Sequence, residues 1–386
     1  MQRIRLAVGM TMFIDGLLYL VIFPLLPVFS EQFDLSKLDA AVLLSGYQVA
    51  FVITAIPAGW LAGRFGPRRV VLGGLVFFIL ASLLFAIAPS FALLVAARGL
   101  QGIAAGCGWS AAMSWLTENT ERDRRSRAVG LISGVSAAGA VAGPVIGALA
   151  AATSVTLAFG IVAVMGLGAL VMTLLAPPGQ LPPTGPPLRT TVRRLIGHPT
   201  VIAALCFSFT VSICLSTVDL LAILALGDRG VDATTIGVIL SAGAVLGVVT
   251  GTIVGRVGER IGSFGLCLVG AFGMALLTIL LALPLPTWGL GVAIVLVGPL
   301  FPFLMTGIYP LAASASDDFG LGHGTANGVV NICWTGATAL VPLAAAWIAD
   351  AEGDAAAYLT ATVLTLGLIA IALLMRSRAR NLSLSH

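Results

Sequence analysis

Twelve apolar runs, each near the roughly 20 residues an α-helix needs to cross a hydrocarbon core of about 30 Å, take up most of this chain. They read 6–28, 40–62, 70–88, 91–116, 127–150 and 154–176, then 199–227, 233–255, 262–283, 287–314, 323–348 and 355–375. Lipid offers no water to backbone N–H and C=O groups, so an open chain crosses it as helices that bond their own backbone. Composition agrees: 59% hydrophobic against 9% charged residues leaves too much apolar surface for a water-soluble globule of 386 residues. The fold class is therefore an all-α integral membrane protein of twelve transmembrane helices. The opening Met-Gln-Arg-Ile-Arg and the apolar run after it lack a small-residue cleavage site, which predicts a retained first helix. The five cysteines lie inside apolar runs without metal-ligand spacing and read as packing residues; no metal and no cofactor are expected.

Charge placement gives orientation. With the N-terminus on the cytoplasmic side, the inner segments hold all but three of the 20 Lys and Arg residues. Lys37 and Arg229 fall outside and Arg98 within a span, so both termini are expected in the cytoplasm, the membrane being the cell's inner one. Topology accounts for the net charge of +4 without a nucleic-acid partner. Between the two sets of six runs, residues 177–198 carry prolines and then Arg189, Arg193 and Arg194. This reads as a cytoplasmic linker between halves at 1–176 and 199–386, its basic end suited to the lipid surface; a Pro-rich docking site is the alternative.

A duplicated loop ties the halves together. Gly59, Gly63, Arg64, Gly66 and Arg68 are answered at one constant offset by Gly251, Gly255, Arg256, Gly258 and Arg260. Glycines permit a tight reversal where helices approach, and arginines mark the cytoplasmic exit from lipid. The ladder Ala55, Gly59, Gly63, matched by Gly247, Gly251, Gly255, predicts close helix contact at spacing four.

These residues resemble the loop motif of the major facilitator superfamily, Gly-x-Leu-Ala-Asp-Arg-x-Gly-Arg-Lys, with the acidic position read as Gly63 and Gly255. Arg98-Gly-Leu-Gln101-Gly102 is similar to the family's fourth-helix motif, whose arginine the resemblance links to proton coupling. Gly139, Gly143, Pro144 and Gly147 resemble the fifth-helix motif that marks exporters, especially drug:proton antiporters. The implied architecture is two six-helix pseudo-repeats around a central cavity.

Only Asp15, Arg98 and Asp219 are charged residues inside spans, each costly there and a functional candidate. At about 1.5 Å per residue all three share one band of depth. Asp15, Arg98 and Asp219 are expected to carry proton coupling, with a static Asp15–Arg98 ion pair as the bland alternative. Tyr19, Gln48, Gln101, Trp109, Tyr309, Asn331 and Trp334 are the candidates for lining a substrate cavity. The inner loop before the eleventh run carries Asp317 and Asp318 and no cation, which suggests a cytoplasmic latch to Arg64 or Arg68. No phosphate-binding Gly-x-x-x-x-Gly-Lys-Ser/Thr run is present, which argues against direct use of ATP; the chain is expected not to be an enzyme. It is a monomeric secondary transporter in the bilayer, exporting a small amphipathic compound against protons. An importer or facilitator on the same fold, or a non-transporting sensor, are the rivals.

Overall fold

The computed structural model describes residues 2–121, 125–179, 195–318 and 323–384. Helix α1 (Gln2–Leu20), a 3-10 turn (Phe23–Leu25) and α2 (Leu26–Phe33) together form the first crossing. Pro24 and Pro27 each stand at the start of the turn or helix that holds them, where a missing N–H breaks no intrahelical bond. The crossing runs past the expected residue 28 because exposed Glu31 and Gln32 continue the helix in its last turn, and Asp34 ends it in a left-handed conformation (φ 51°). Helix α3 (Lys37–Phe65) starts on a capping box, in which Asp39 N donates to Ser36 Oγ and Ser36 N to the Asp39 carboxylate. Then follow α4 (Pro67–Ala86), α5 (Phe91–Glu118), α6 (Arg125–Ala152), α7 (Val155–Leu175), α8 (Pro199–Asp228), α9 (Ala233–Leu281), α10 (Thr287–Asp318), α11 (His323–Glu352) and α12 (Asp354–Leu384). No strand occurs among the described residues.

Helix α9 has 49 residues and would measure about 74 Å if straight, over twice the hydrocarbon core. It is not straight: Gly262 takes φ 73° and ψ 167°, so 233–261 and 263–281 are two crossings, and the described residues make twelve. Asp232 caps this helix outside the lipid. Thr235 donates its N–H (3.0 Å) and its hydroxyl (2.7 Å) to the Asp232 carboxylate and holds it below the ordinary carboxylate range.

That break resets the internal repeat. The α3–α4 reversal occurs at Gly66 (φ 90°), 196 residues before Gly262. An added Cβ at Gly102 would meet the Tyr47 carbonyl at under 3.0 Å, and one at Gly298 would meet the Gly243 carbonyl equally closely. Both members of that pair of contacts are again 196 residues apart. Gly63-Arg64-Phe65-Gly66 therefore corresponds to Glu259-Arg260-Ile261-Gly262, so Gly255 and Arg256 are not the partners of Gly63 and Arg64. The acidic position is missing from the first loop only. Glycines recur every four residues in both ladders, so a match by residue type survives a slip of one helical turn; the backbone reversal does not. Both copies thus break at the same position, before Pro67 in the first and before Ser263 in the second.

The helices gather into two compact units, residues 1–184 with 227–241, and residues 185–226 with 242–386. Within the first, α1 and α6 cross backbone to backbone. A Cβ at Gly143 would lie 2.6 Å from the Leu17 carbonyl, and those at Gly139 and Gly147 would strike the Phe13 and Val21 carbonyls. Gly106 brings α5 against Phe51 and Ala55 of α3, and Ser110 Oγ donates to the Ala55 carbonyl (2.8 Å). The ladders, however, are close only at one end. Among the described residues nothing lies within 4 Å of a Cβ at Gly59, Gly63 or Gly255, and Gly251 makes only ordinary contact with Pro302. Trp60 and Trp288 are largely exposed, as interfacial anchors should be.

The loop arginines have local work. Arg68 donates from Nε to the Thr173 carbonyl (2.9 Å) and from Nη2 to the Leu174 carbonyl, and Arg3 Nη1 reaches the Leu175 carbonyl. Two cations thus meet carbonyls of the last turn, at the negative dipole end of α7. Arg64 lies over the rings of Trp60 and Phe65, 5.5 Å from each centroid. Both cations of the expected latch are engaged inside their own unit, and the Asp317 and Asp318 side chains lie outside the described ones.

Candidate functional site

Three helices of the first unit converge on Asp15. Its carboxylate, on α1, accepts a hydrogen bond from Tyr47 Oη of α3 (2.8 Å) and another from Trp109 Nε1 of α5 (2.6 Å). Arg98, one turn before Gln101 on α5, is 2% exposed and sets its guanidinium 4.7 Å from the centroid of the Tyr47 ring. Its Nη1 donates to the Leu18 carbonyl (3.1 Å) and to Gln101 Oε1 (2.9 Å). Arg98 Nε and Gln101 Nε2 are buried and meet no hydrogen-bond partner among the described residues.

Local sequence explains the convergence. Gly102 removes the side chain that would collide with the Tyr47 carbonyl, so α3 and α5 touch there and the phenol passes between Arg98 and Asp15. The static Asp15–Arg98 ion pair is not the arrangement found among the described residues. Each holds its own partners, and Tyr47 joins them: its hydroxyl serves the anion and its ring face the cation.

This geometry has a chemical consequence. An ionised carboxylate only accepts, which suits two donors. A protonated one must donate from one oxygen, and indole N–H cannot receive it, whereas the Tyr47 hydroxyl can turn and accept. Proton uptake at Asp15 turns one of its oxygens into a donor, which the Tyr47 hydroxyl can meet by turning and Trp109 Nε1 cannot.

Of the expected site residues, Asp15, Arg98, Gln101 and Trp109 are brought into one cluster. Tyr19 packs at its edge, its ring tilted against Tyr47 (centroids 6.3 Å apart) and edge-on to Phe23 (6.2 Å). Gln48 is buried on α3. In the second unit Tyr309 Oη of α10 donates to Asn331 Oδ1 of α11 (2.7 Å), and the Trp334 carbonyl accepts from Ser212 Oγ of α8 (3.1 Å). Asp219, 7% exposed on α8, has no hydrogen-bond or charged partner among the described residues. Tyr47, the hub, was not among the expected residues. Its signal was present: it is one of four tyrosines, lies inside a span and carries a hydroxyl that needs a partner there.

Lipid-length helices in two bundles, with the Asp219 carboxylate and the Arg98 guanidinium buried within spans, define a multi-pass membrane protein with costly charges inside its helices. The chain belongs to the Major Facilitator Superfamily, whose model matches residues 8–325. It is similar to the MFS-type transporter ppzB of Metarhizium rileyi, 33% identical over 145 residues that cover 36% of this chain and 30% of that protein. The Multidrug resistance protein B homolog of Mycobacterium tuberculosis is 31% identical over 155 residues, 40% of this chain and 29% of that one. Quinolone resistance protein NorA of Staphylococcus aureus is 23% identical over 154 residues, 40% of each. The matched segment thus spans less than half the length of these relatives. Crystal structures of a bacterial homolog to the human lysosomal transporter Spinster share the fold. The inward-facing, occupied form has a TM-score of 0.81 at 15% identity and covers 97% of this chain and 96% of that one.

Proposed function

We propose that this protein exports a small amphipathic organic compound in exchange for protons, working by alternating access as a monomer between two six-helix halves. The observation that carries the reading is the Asp15 carboxylate, half-buried and held by two neutral donors, with Arg98 set against the face of the Tyr47 ring. Such a group takes up and releases a proton without breaking an ion pair, while its hydrogen bonds report the change to three helices. Asp219 is assigned to substrate contact or a second proton. Tyr309, Asn331, Gln48 and Trp334 are assigned to the substrate path. The Gly139-to-Gly147 stretch and the names of the Mycobacterium and Staphylococcus relatives support the export direction. The skew of Lys and Arg supports cytoplasmic termini in an inner membrane.

The test is a panel of amphipathic compounds added to acid-loaded vesicles that contain the purified protein. A transported compound should release protons from the lumen, and Asp15→Asn should abolish that release while the variant keeps its elution profile and helix content. Undiminished proton release by Asp15→Asn would overturn the assignment. Flux that ignores the pH gradient in the wild type would favour a facilitator, and binding without flux a sensor.

A further inference from the structure

A cavity of about 20 Å3 lies behind Asp15, between α1, α4 and α5. Its lining includes Thr11, Asp15, Phe78, Gln101, Ala105 and Gly108, all in the first unit. About 10–15 Å3 on the same measure suffices for one water, provided two to four polar groups can hold it. The polar groups are there. Gln101 is 1% exposed, and its Oε1 must face Arg98, because a guanidinium only donates. That fixes the amide the other way round, leaving the two Nε2 hydrogens without a protein acceptor among the described residues. The Thr11 hydroxyl donates to the Ala7 carbonyl (2.9 Å) and keeps its lone pairs. The carboxylate oxygens of Asp15 retain lone pairs beyond those used by Tyr47 and Trp109.

We propose that this cavity binds one structural water, which accepts from Gln101 Nε2 and donates to the Asp15 carboxylate and to Thr11 Oγ1. Gln101 is then a positioning residue of the proton site and not a substrate contact. It grips Arg98 with its oxygen and, through the water, Asp15 with its nitrogen. The cation and the anion are joined twice, by the Tyr47 ring and hydroxyl on one side and by Gln101 and the water on the other. A leucine in place of Gln101 would leave Arg98 Nη1 only the Leu18 carbonyl and take from the water its donor, so the amide's two ends act together. The water site stands on geometry alone; its part in coupling rests on the proton-exchange reading above.

The two are separable by infrared difference spectroscopy of the full chain in lipid, acid minus alkaline, in ordinary and in 18O water. Asp15→Asn identifies the Asp15 carboxyl band by its loss. The expected result in the wild type is a water O–H band that shifts in 18O water and appears only when the Asp15 band does. Gly108→Ala fills the cavity without touching the amide, since its Cβ would meet only Thr11 Cγ2 (3.3 Å) and Met12 Cε (3.7 Å). It should abolish the water band and move the Asp15 carboxyl band to higher frequency through the lost hydrogen bond. Thr11→Val, which keeps the shape, should shift the water band without abolishing it. An absent 18O-sensitive band in the wild type, or one unchanged in Gly108→Ala, overturns the proposal. A water band that behaves as expected in a protein whose flux ignores pH would sink the coupling role and leave the site standing.

Discussion

Tyr47→Phe removes one atom from the proton site and leaves the rest in place. The lost hydroxyl donates at 2.8 Å to a half-buried carboxylate, while the ring that Arg98 covers at 4.7 Å remains. A hydrogen bond to a charged group contributes about 1.5–3 kcal/mol. At about 1.4 kcal/mol per decade that is a ten- to hundredfold change in the equilibrium between protonation states. Trp109 still donates at 2.6 Å, so the site is weakened and not emptied. The assay is flux in vesicles with and without an imposed pH gradient, the ratio of the two measuring coupling. Tyr47→Phe should lower the proton-driven component ten- to hundredfold and leave gradient-free exchange near wild type. In an Asp15→Asn background the partner is neutral, so the same substitution should change gradient-free exchange by at most about fivefold, near 1 kcal/mol. Wild-type coupling in Tyr47→Phe, or a loss of gradient-free exchange well beyond about fivefold in either background, would refute the bridge.

Asp219→Asn should alter the range of compounds moved more than it alters coupling, measured as affinity across the panel; unchanged affinity for every compound would remove Asp219 from the substrate path. Gly143→Leu places a side chain 2.6 Å from the Leu17 carbonyl, so α1 and α6 must part at a cost of about 1–3 kcal/mol or more. Thermal unfolding in detergent should fall by several degrees and vesicles should leak protons, whereas Gly99→Ala, with open space at its Cβ, should do neither. At the start of α9, the Asp232 carboxyl is held below its ordinary value of 3.8 by Thr235. Its support is therefore fully present above that value and is lost as pH falls through the lowered one. Hydrogen exchange at the Thr235 N–H should show protection near neutrality that disappears in acid, and Asp232→Ala should remove the protection at every pH.

What the sequence determined by itself follows from quantities that are local along the chain. Span number and type depend on run length and hydropathy, since lipid admits few backbone solutions. Residues 262–283 could be separated from 233–255 because Gly255, Arg256, Gly258, Glu259 and Arg260 interrupt the apolar pattern, although the helix itself runs on to Gly262. Asp15, Arg98 and Asp219 stood out because a charge inside a span is expensive wherever it points. Only the tertiary structure decided what depended on register and on partners distant in sequence. Ladders of glycine at spacing four look alike after a slip of four, so the 196-residue repeat, and with it Glu259 as the counterpart of Gly63, needed the backbone reversals at Gly66 and Gly262. Arg68 read as a gate cation from its loop, but the carbonyls it satisfies are at Thr173 and Leu174, about a hundred residues on, at the end of another helix. Tyr47 became the hub because Gly102 lets α5 meet the Tyr47 backbone while Asp15 reaches its hydroxyl from α1. Hydropathy carries no record of such meetings, since a side chain's partner is set by which helix faces touch, and that is settled only when the helices pack.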